Sequence, residues 1–496
     1  SLVGSEMCIR DRFIGMDIQN FSALFNTPAR REAFLKLIKD NKTKHIFVQG
    51  LEGSSIALFF SNLLEHKQAH ILIANDLDEA GYLYNDLVQI NGNDHILLFP
   101  SGYKRDIKYG QPDPPSEILR TEVLNRLCQK GESLLIVTYP EAIAEKVVPV
   151  NMLSEQTLHI DKNSKCDIIT LSDKLRERGF EEVDYVYEPG QFAVRGSILD
   201  VFSYTNELPY RIDFFGKEVE SIRTFEVETQ LSTGKLEEVY IVANVCGQEA
   251  SGISILDFID KNTILICHNL SWVIDRISAI ASESLSEQTL IAEEGDRYAM
   301  QKIIDVTAFQ KKITTFRRID YGTSSEANAP AVIRFNCAPQ GVYHKNFDLV
   351  SQSFSQFIEK GYTLYILSDS EKQIERLQAI FEERGDSISF TPVLKTLHEG
   401  FVDNDLKIGC FTDHQIFDRF HKYTLKSEHA RSGKLALSLK ELNQIEVGDY
   451  IVHVDHGIGR FGGLIHTEIN GKMQEVIKLT CLLYTSDAAD DRISVD

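Results

Sequence analysis

A glycine-containing loop, "VQGLEGSSIALFF" at residues 48–60, lies between a strand-like run and a helix-like run. Loops of this kind cradle phosphate groups when they read G-x-x-x-x-G-K-[ST]. Aligned from its first glycine, this loop offers serine, isoleucine and alanine where that pattern has its second glycine, its lysine and its hydroxyl residue. The residues of this degenerate loop are Gly50, Gly53, Ser55, Ile56 and Ala57.

The missing side chains limit the chemistry of this loop. In a phosphate loop the lysine neutralises the β- and γ-phosphates and the hydroxyl holds Mg²⁺, and Ile56 and Ala57 can do neither. We therefore predict that no nucleotide is hydrolysed here, although amides at the start of the helix could still hold an anion weakly. Spacing alone does not distinguish a degenerate nucleotide loop from an ordinary turn between a strand and a helix.

A second candidate site lies on the strand-like stretch "YRIDFF". The period of two in a strand puts the alternate apolar residues Tyr210, Ile212 and Phe214 toward a core. Arg211 and Phe215 then share the outward face. An exposed aromatic side chain beside an arginine is a common pair at partner-binding surfaces.

The neighbouring strand-like stretch "FAVRG" could bring Arg195 to the same face as Arg211 and Phe215. The alternative is an arginine that pairs with Asp213 and a phenylalanine that packs under a loop. The spacing of these residues leaves both interpretations open.

Two other groups of polar residues have weaker chemical interpretations. His453 and His456 flank Asp455, but alternation in a strand points the two histidines to different faces, so packing and turn roles are favoured over a metal site. The basic run at 419–440 could contact nucleic acid phosphates, and a solvated linker is the favoured interpretation because the whole chain is acidic. We predict no catalytic residue and no metal.

The elements that carry these residues alternate between short apolar runs and helical patterns as far as residue 150. Strands with helical crossovers of this length indicate a parallel sheet covered on both faces. From residue 191 to 226 the apolar runs come close together, with a tight turn at Gly216 and Lys217, which indicates antiparallel strands. The α/β pattern returns afterwards, so the antiparallel part is interpreted as an insertion.

The predicted fold class is therefore α/β, with several domains. The predicted organisation is an α/β domain at 16–150 and 244–323, an inserted α+β domain at 151–243, a small α/β domain at 330–415, a basic linker at 416–445 and the start of a small β-barrel at 446–480.

Composition limits the function classes. The chain has 496 residues and is 43% hydrophobic, which predicts several packed domains. Its net charge of -21 argues against a surface coated with nucleic acid. No apolar run is long enough to span a membrane, and scattered cysteines without CxxC spacing are typical of a reducing cytosol.

The two ends, 1–15 and 481–496, show no sustained periodicity and resemble translated adapter sequence, so we expect both to be non-native. Met16 is then the expected native start, and the native chain is expected to continue past Thr480.

The stretch "EPGQFAVRGSILDVFSYTNELPYRIDFFGKEVESIRTF" resembles the UvrB-like module of the bacterial transcription-repair coupling factors, the Mfd family. The order of α/β domain, insertion and α/β domain resembles that module too, whose nucleotide loop is degenerate. The resemblance favours a relic of a nucleotide loop at Gly50. It implies that the insertion recruits UvrA through residues matching Arg195, Arg211 and Phe215.

The stretch "GDYIVHVDHGIGRFGGL" resembles the RNA-polymerase-interacting domain of the same family, which CarD-like regulators share and UvrB lacks. The resemblance implies a contact with the β subunit of RNA polymerase. The residues singled out in this segment are His453, His456, Gly457, Gly459 and Arg460.

The resemblance implies a scaffold in transcription-coupled nucleotide excision repair in the cytoplasm, and no enzyme or cofactor in these residues. ATP and Mg²⁺ are expected in motor domains further along the chain. UvrA, RNA polymerase and, through the full-length protein, DNA are the expected partners, with no membrane. Two alternatives stay open. A UvrB-like ATP-dependent helicase needs a phosphate lysine and paired carboxylates, and a CarD-like regulator leaves most of the chain unexplained.

Overall fold

The computed structural model describes residues 15–40, 42–102, 114–129, 131–162, 164–204, 206, 208–227, 229–243, 252–290, 303–323, 331–421, 448–453, 457–469 and 472–481. They fall into two compact units, divided between residues 428 and 429.

A seven-stranded parallel sheet lies in the first unit. Its strands are β1 (His45–Gln49), β2 (Ala69–Ile73), β3 (Ile96–Phe99), β4 (Leu134–Thr138), β13 (Ile264–Cys267), β14 (Arg317–Gly322) and β15 (Ala331–Arg334). Their order is β15-β1-β14-β13-β2-β4-β3. Strands from before and after the six-stranded insertion therefore belong to one sheet, in which β1 lies between β15 and β14. The large parallel sheet expected from the sequence is confirmed.

The strands of the large sheet are short apolar runs, and every residue of β3 and β4 is buried. Such runs suit strands with both faces covered. The helices of this region are α1 (Ile18–Phe25), α2 (Pro28–Lys39), α3 (Ser55–Phe60), α4 (Leu77–Asn91), α5 (Pro114–Cys128), α6 (Pro140–Ala144), α7 (Val150–Gln156), α9 (Ile255–Phe258), α10 (Leu270–Leu290) and α11 (Val306–Ile313), with a 3-10 turn at Ser61–Glu65.

A six-stranded sheet lies between β4 and β13 in the chain. Its strands are β6 (Glu181–Glu182), β7 (Gln191–Arg195), β8 (Ile198–Val201), β9 (Tyr210–Phe215), β10 (Glu218–Phe225) and β11 (Ser232–Leu236). Strands β7 to β11 form an antiparallel meander. Helix α8 (Ile168–Glu177) packs Leu171 and Leu175 into the core on one face of this sheet. Beside it, β5 (Thr157–Asp161) pairs antiparallel with β12 (Glu238–Val242).

A five-stranded mixed sheet follows β15. Its strands are β16 (Cys337–Pro339), β17 (Thr363–Leu367), β18 (Thr391–Val393), β19 (Phe401–Asp403) and β20 (Ile408–Thr412). Its helices are α12 (Phe347–Glu359), α13 (Glu371–Glu383) and α14 (Asp413–Ile416).

The five-stranded and seven-stranded sheets share one hydrophobic core. Phe401 of the small sheet is buried in the same cluster as Phe25 and Phe59, and its ring centroid lies 5.3 Å from that of Phe25. The sequence analysis assigns 330–415 to a separate small domain. In the structure, β15 is part of the large sheet and the small sheet packs directly on the same core.

The second unit contains a three-stranded antiparallel sheet. Its strands are β21 (Tyr450–His453), β22 (Gly457–Ile469) and β23 (Lys472–Cys481). The last residue pair between β22 and β23 joins Ile469 and Lys472.

Among the helices that the structure describes, none has the length and apolar character needed to cross a membrane.

Candidate partner-docking surface

The outward face of the six-stranded sheet follows from strand alternation. The three apolar residues at alternate positions of β9 are buried, whereas Arg211 and Asp213 are partly exposed and Phe215 is 79% exposed. Cross-strand pairing puts Asp200 of β8 opposite Arg211. Arg195 at the end of β7 also reaches this face. We call Arg195, Arg211, Asp200 and Phe215 the outward cluster.

The buried carboxylate of Asp200 joins the two arginines of the outward cluster. Arg211 Nε and Nη2 donate to Asp200 Oδ1 and Oδ2 at 2.7 and 2.9 Å. Arg195 Nη2 donates to Asp200 Oδ2. The structure therefore brings together the two arginines that the sequence singles out. Asp213 lies 3.6 Å from Arg223, so the arginine that pairs with Asp213 is Arg223 and Arg211 pairs with Asp200.

The two arginines differ in exposure and in their other contacts. The Arg211 side chain is 13% exposed, donates from Nη1 to the Gln230 carbonyl at 2.9 Å and stacks on the Phe225 ring at 4.2 Å. The Arg195 side chain is 36% exposed and lies 5.0 Å from the Tyr185 ring. Arg211 thus stabilises the sheet through its contacts as well as reaching the surface, and Arg195 is the more accessible of the two cations.

Phe215 ends β9 directly before the predicted tight turn. Gly216 has a φ of 65°, a left-handed conformation that glycine adopts without steric cost. Because Phe215 is exposed, the alternative of a phenylalanine packed under a loop is also wrong. An exposed phenylalanine on the same strand face as an arginine has the composition of a protein-binding surface.

The degenerate loop precedes α3, and both of its glycines adopt left-handed conformations, with φ of 82° at Gly50 and 52° at Gly53. A Cβ at Gly53 would lie 2.8 Å from the Gly400 carbonyl oxygen. A Cβ at Gly50 would overlap the Phe335 carbonyl oxygen. These glycines therefore allow the backbone of the same chain to approach the loop.

The residues that approach the loop, 398–400, bond to it directly. Ser54 N donates to the Glu399 carbonyl at 3.2 Å, and Glu399 N donates to Ser54 Oγ at 2.9 Å. Asp86 of α4 completes the arrangement, because it accepts from Ser54 Oγ at 2.5 Å and from His398 N at 2.7 Å. We call Ser54, Asp86 and residues 398–400 the loop joint.

Two further amides of the loop are also engaged, and carboxylates lie near the loop. Ser55 N donates to the Glu52 carbonyl at 3.2 Å and Ile56 N to the Gly53 carbonyl at 3.3 Å. Burial raises the pKa of the Glu399 carboxyl, and the neighbouring carboxylates Glu52 and Glu79 raise it further. Ile56 and Ala57 offer no cation and no hydroxyl, as predicted from the sequence. The segment 398–400 therefore lies against this loop, and Glu52 and Glu79 are the carboxylates that neighbour Glu399 there.

Burial also perturbs two titratable groups of the loop joint. Burial raises the pKa of Asp86 to about 7, and the hydrogen bonds from Ser54 and from the His398 amide lower it by a smaller amount. The pKa of His398 is lowered to about 4 by burial and by the nearby His421 and His414. The His398 ring also stacks on Tyr82, with centroids 3.5 Å apart.

The residues singled out in the second unit lie along its first two strands. His453 of β21 pairs with Gly457 of β22, and Gly459 follows on the same strand. Arg460 is exposed, donates from Nη2 to the Tyr450 hydroxyl at 2.7 Å and lies 5.0 Å from that ring. His456 and the basic run 422–440 lie outside the described residues.

In the part of the chain that the structure describes, there is no group of three or more histidine, cysteine, aspartate or glutamate side chains that could hold a metal ion.

Two protein-family models match the chain. The model of the UvrB interaction domain matches residues 158–245, which include the whole six-stranded sheet from β6 to β11. The model of the CarD-like/TRCF RID domain matches residues 445–488, which include β21 to β23 and extend into the segment 481–496 that the sequence analysis treats as non-native.

Curated relatives match over most of the chain. A transcription-repair-coupling factor from Staphylococcus aureus (strain MRSA252) is 24% identical over 507 aligned positions, which cover 87% of this chain and 43% of the relative. One from Staphylococcus epidermidis (strain RP62A) is 22% identical over 513 positions, covering 88% and 43%. The chain is similar to these transcription-repair-coupling factors over most of its length. It spans less than half the length of those transcription-repair-coupling factors. The resemblance stated from the sequence is confirmed.

The sequence analysis missed Asp200, the carboxylate that joins the two arginines of the outward cluster. Asp200 stands in the apolar run "SILDVF", and an acidic residue within such a run signals a buried carboxylate that needs cationic partners. It also missed residues 398–400 as the occupants of the degenerate loop. That contact joins positions more than 300 residues apart in the sequence, so no local pattern predicts it.

Proposed function

We propose that this chain acts in transcription-coupled DNA repair as a scaffold that recruits UvrA and contacts RNA polymerase. One observation carries the proposal. The UvrB interaction domain match falls on the sheet whose outward face presents Arg195, Arg211 and Phe215. The matched relatives are named transcription-repair-coupling factors, which supports the same biological process for this chain.

The chemistry of the outward cluster supports a protein partner. Two guanidinium groups share one carboxylate at Asp200, which leaves one positive charge in excess. Phe215 adds an apolar side chain that is 79% exposed. Arginine and aromatic residues are the side chains that most often dominate binding energy at protein interfaces. We propose that UvrA meets this cluster with an acidic group and an apolar pocket.

We propose that DNA is contacted by other parts of the longer protein. We also propose that the second unit contacts the β subunit of RNA polymerase. The CarD-like/TRCF RID match supports this role. Arg460, exposed on β22 beside Tyr450, is the described residue that best suits such a contact. A small β-barrel that includes β21 to β23 is part of the proposal.

For this part of the chain we propose no catalytic role and no cofactor. The degenerate loop lacks the lysine, and residues 398–400 occupy the approach to it. This favours the scaffold over a UvrB-like ATP-dependent helicase. A simple CarD-like regulator is less well supported, because the relatives align with 87% of the chain. Any ATP and Mg²⁺ chemistry of the longer protein would belong to other residues.

Binding of purified UvrA to the immobilised chain tests the proposal. Arg195→Ala, Arg211→Ala and Phe215→Ala are each expected to weaken binding by at least about tenfold, as central interface residues do. Arg176→Ala and Ile169→Ala serve as matched controls. Both positions lie on α8, on the other side of the sheet, where Arg176 is paired with Glu182 and Ile169 is 66% exposed.

The possible outcomes distinguish a failure of the proposed function from a failure of the assigned binding residues. If UvrA does not bind the wild-type chain, the proposed function fails. If it binds and all three variants retain wild-type affinity, the site assignment fails. A separate binding assay with the RNA polymerase β subunit, in which Arg460→Ala lowers affinity and Arg176→Ala does not, tests the second unit.

A further inference from the structure

The carboxylate of Asp200 is the only member of the outward cluster that touches both arginines. It is fully buried, so it cannot itself contact a partner. Its two oxygens face guanidinium groups from two different strands, β7 on one side of β8 and β9 on the other. It is therefore placed to act on a partner only through Arg195 and Arg211.

The geometry of the sheet explains how one carboxylate reaches both cations. Asp200 is directly opposite Arg211 in the strand register, which sets up the two-pronged contact with Nε and Nη2. On its other side the register partner is Ala193. The small alanine side chain leaves space through which Arg195, two residues along the same face, reaches back to Asp200.

Fixing the arginines matters because free arginine side chains are flexible. Each loses rotamer freedom when a partner immobilises it, which weakens binding. Two guanidinium groups without a shared carboxylate would also repel each other. A buried aspartate between them removes both costs before the partner arrives.

We propose that Asp200 is a positioning residue, which holds Arg195 and Arg211 in the arrangement that the partner's acidic group recognises. The inference rests on the proposed function, because it names how the same surface is kept ready for UvrA.

Charge and position predict opposite effects of Asp200→Asn. The substitution makes the outward cluster more positive, so simple attraction to an acidic partner would strengthen binding. Loss of positioning weakens it, by about tenfold if both side chains must be immobilised on binding. Asp173→Asn is the matched control. It removes the same charge from α8, across the sheet, where Asp173 pairs with Arg176.

The experiment has two readouts on the intact chain. UvrA affinity is measured for wild type, Asp200→Asn and Asp173→Asn. The rate at which phenylglyoxal modifies each arginine is measured on the same proteins without UvrA. Arg384, which pairs with Asp348 and Asp386, is the internal reference because neither substitution removes its partners. We expect Asp200→Asn to bind about tenfold more weakly and its Arg195 and Arg211 to react several-fold faster, with Asp173→Asn unchanged in both respects.

Unchanged or stronger UvrA binding by Asp200→Asn overturns the inference. Weaker binding with unchanged Arg195 and Arg211 reactivity also overturns it, because the effect would then be structural. If Asp200→Asn does not fold, Asp200→Glu keeps the charge but displaces it by one methylene, and the same losses are expected. If wild type does not bind UvrA, the proposed function fails, while the arginine reactivity still decides whether Asp200 holds the two side chains.

Discussion

Ser54 and Glu399 exchange two hydrogen bonds across the degenerate loop, from Ser54 N to the Glu399 carbonyl at 3.2 Å and from Glu399 N to Ser54 Oγ at 2.9 Å. The second bond uses a hydroxyl beside the place where a nucleotide loop holds its phosphates. A loop with the outline of a phosphate site thus binds a segment of its own chain. The glycines of the loop make room for the backbone atoms that approach it.

Substitution of Gly53 is predicted to destabilise the first unit through the loop joint. An alanine Cβ there would press against the Gly400 carbonyl at 2.8 Å, and overpacking of this kind costs about 1–3 kcal/mol. Gly385→Ala is the control, since Gly385, just after α13, has a left-handed φ of 71° but open space around it. Urea unfolding should show the larger loss for Gly53→Ala, and equal losses would contradict the packing argument.

Restoring the missing side chains of the loop is predicted not to restore nucleotide binding. In Ile56→Lys combined with Ala57→Ser, residues 398–400 would still cover the loop, and Glu399 would still lie beside it. Isothermal titration of this variant with ATP and Mg²⁺ should show no more heat than wild type. Tight, Mg²⁺-dependent ATP binding by either protein would mean that the loop is an accessible nucleotide site.

The buried Asp86 carboxyl predicts a pH dependence of stability. Its pKa is raised from 3.8 to about 7, so between these values the folded chain holds a proton that the unfolded chain has lost. The stability that this bound proton contributes is fully present below pH 3.8 and is lost as pH rises through about 7. Wild type should therefore lose stability relative to Asp86→Asn as pH rises from 4 to 7, by at most about 1.4 kcal/mol per pH unit.

The titration of His398 changes the stability of the loop joint with pH in the opposite direction to that of Asp86. The pKa of His398 is lowered to about 4, so its contribution is present above the ordinary value of 6.5 and is lost as pH falls through about 4. The two groups offset each other in wild type, which is why the comparison is made between wild type and Asp86→Asn at each pH. A stability difference that stays constant from pH 4 to 7 would show that the Asp86 carboxyl titrates normally.

The two arginines of the outward cluster are predicted to differ in their effect on stability. Arg211→Ala removes the two-pronged contact with Asp200 and the bond to the Gln230 carbonyl, and should cost about 2–4 kcal/mol because it leaves a buried carboxylate poorly paired. Arg195→Ala removes a more exposed partner and should cost about 1 kcal/mol. Thermal unfolding of the two variants checks the order, and an equal or reversed order would contradict it.

The sequence predicted the parts of this fold that local patterns determine. The apolar runs of β3 and β4 predicted buried parallel strands, and alternation on β9 predicted that Arg211 and Phe215 face outward.

Long-range contacts were beyond the reach of those patterns. The pairing of β15 with β1 and the shared core of the two sheets depend on how distant segments meet. So does the docking of residue 399 on Ser54. At the candidate site, the arginines and Phe215 could be singled out from one strand and its neighbour. Asp200 required the cross-strand register, because only the register shows which side chains face it.

Phe215 allows binding to be separated from folding, because its side chain is 79% exposed and surface substitutions usually change stability by less than about 0.5 kcal/mol. The most direct test is the UvrA dissociation constant of Phe215→Ala, measured beside its melting temperature. The account predicts at least about tenfold weaker UvrA binding at an unchanged melting temperature. Wild-type affinity in a folded Phe215→Ala chain would contradict it.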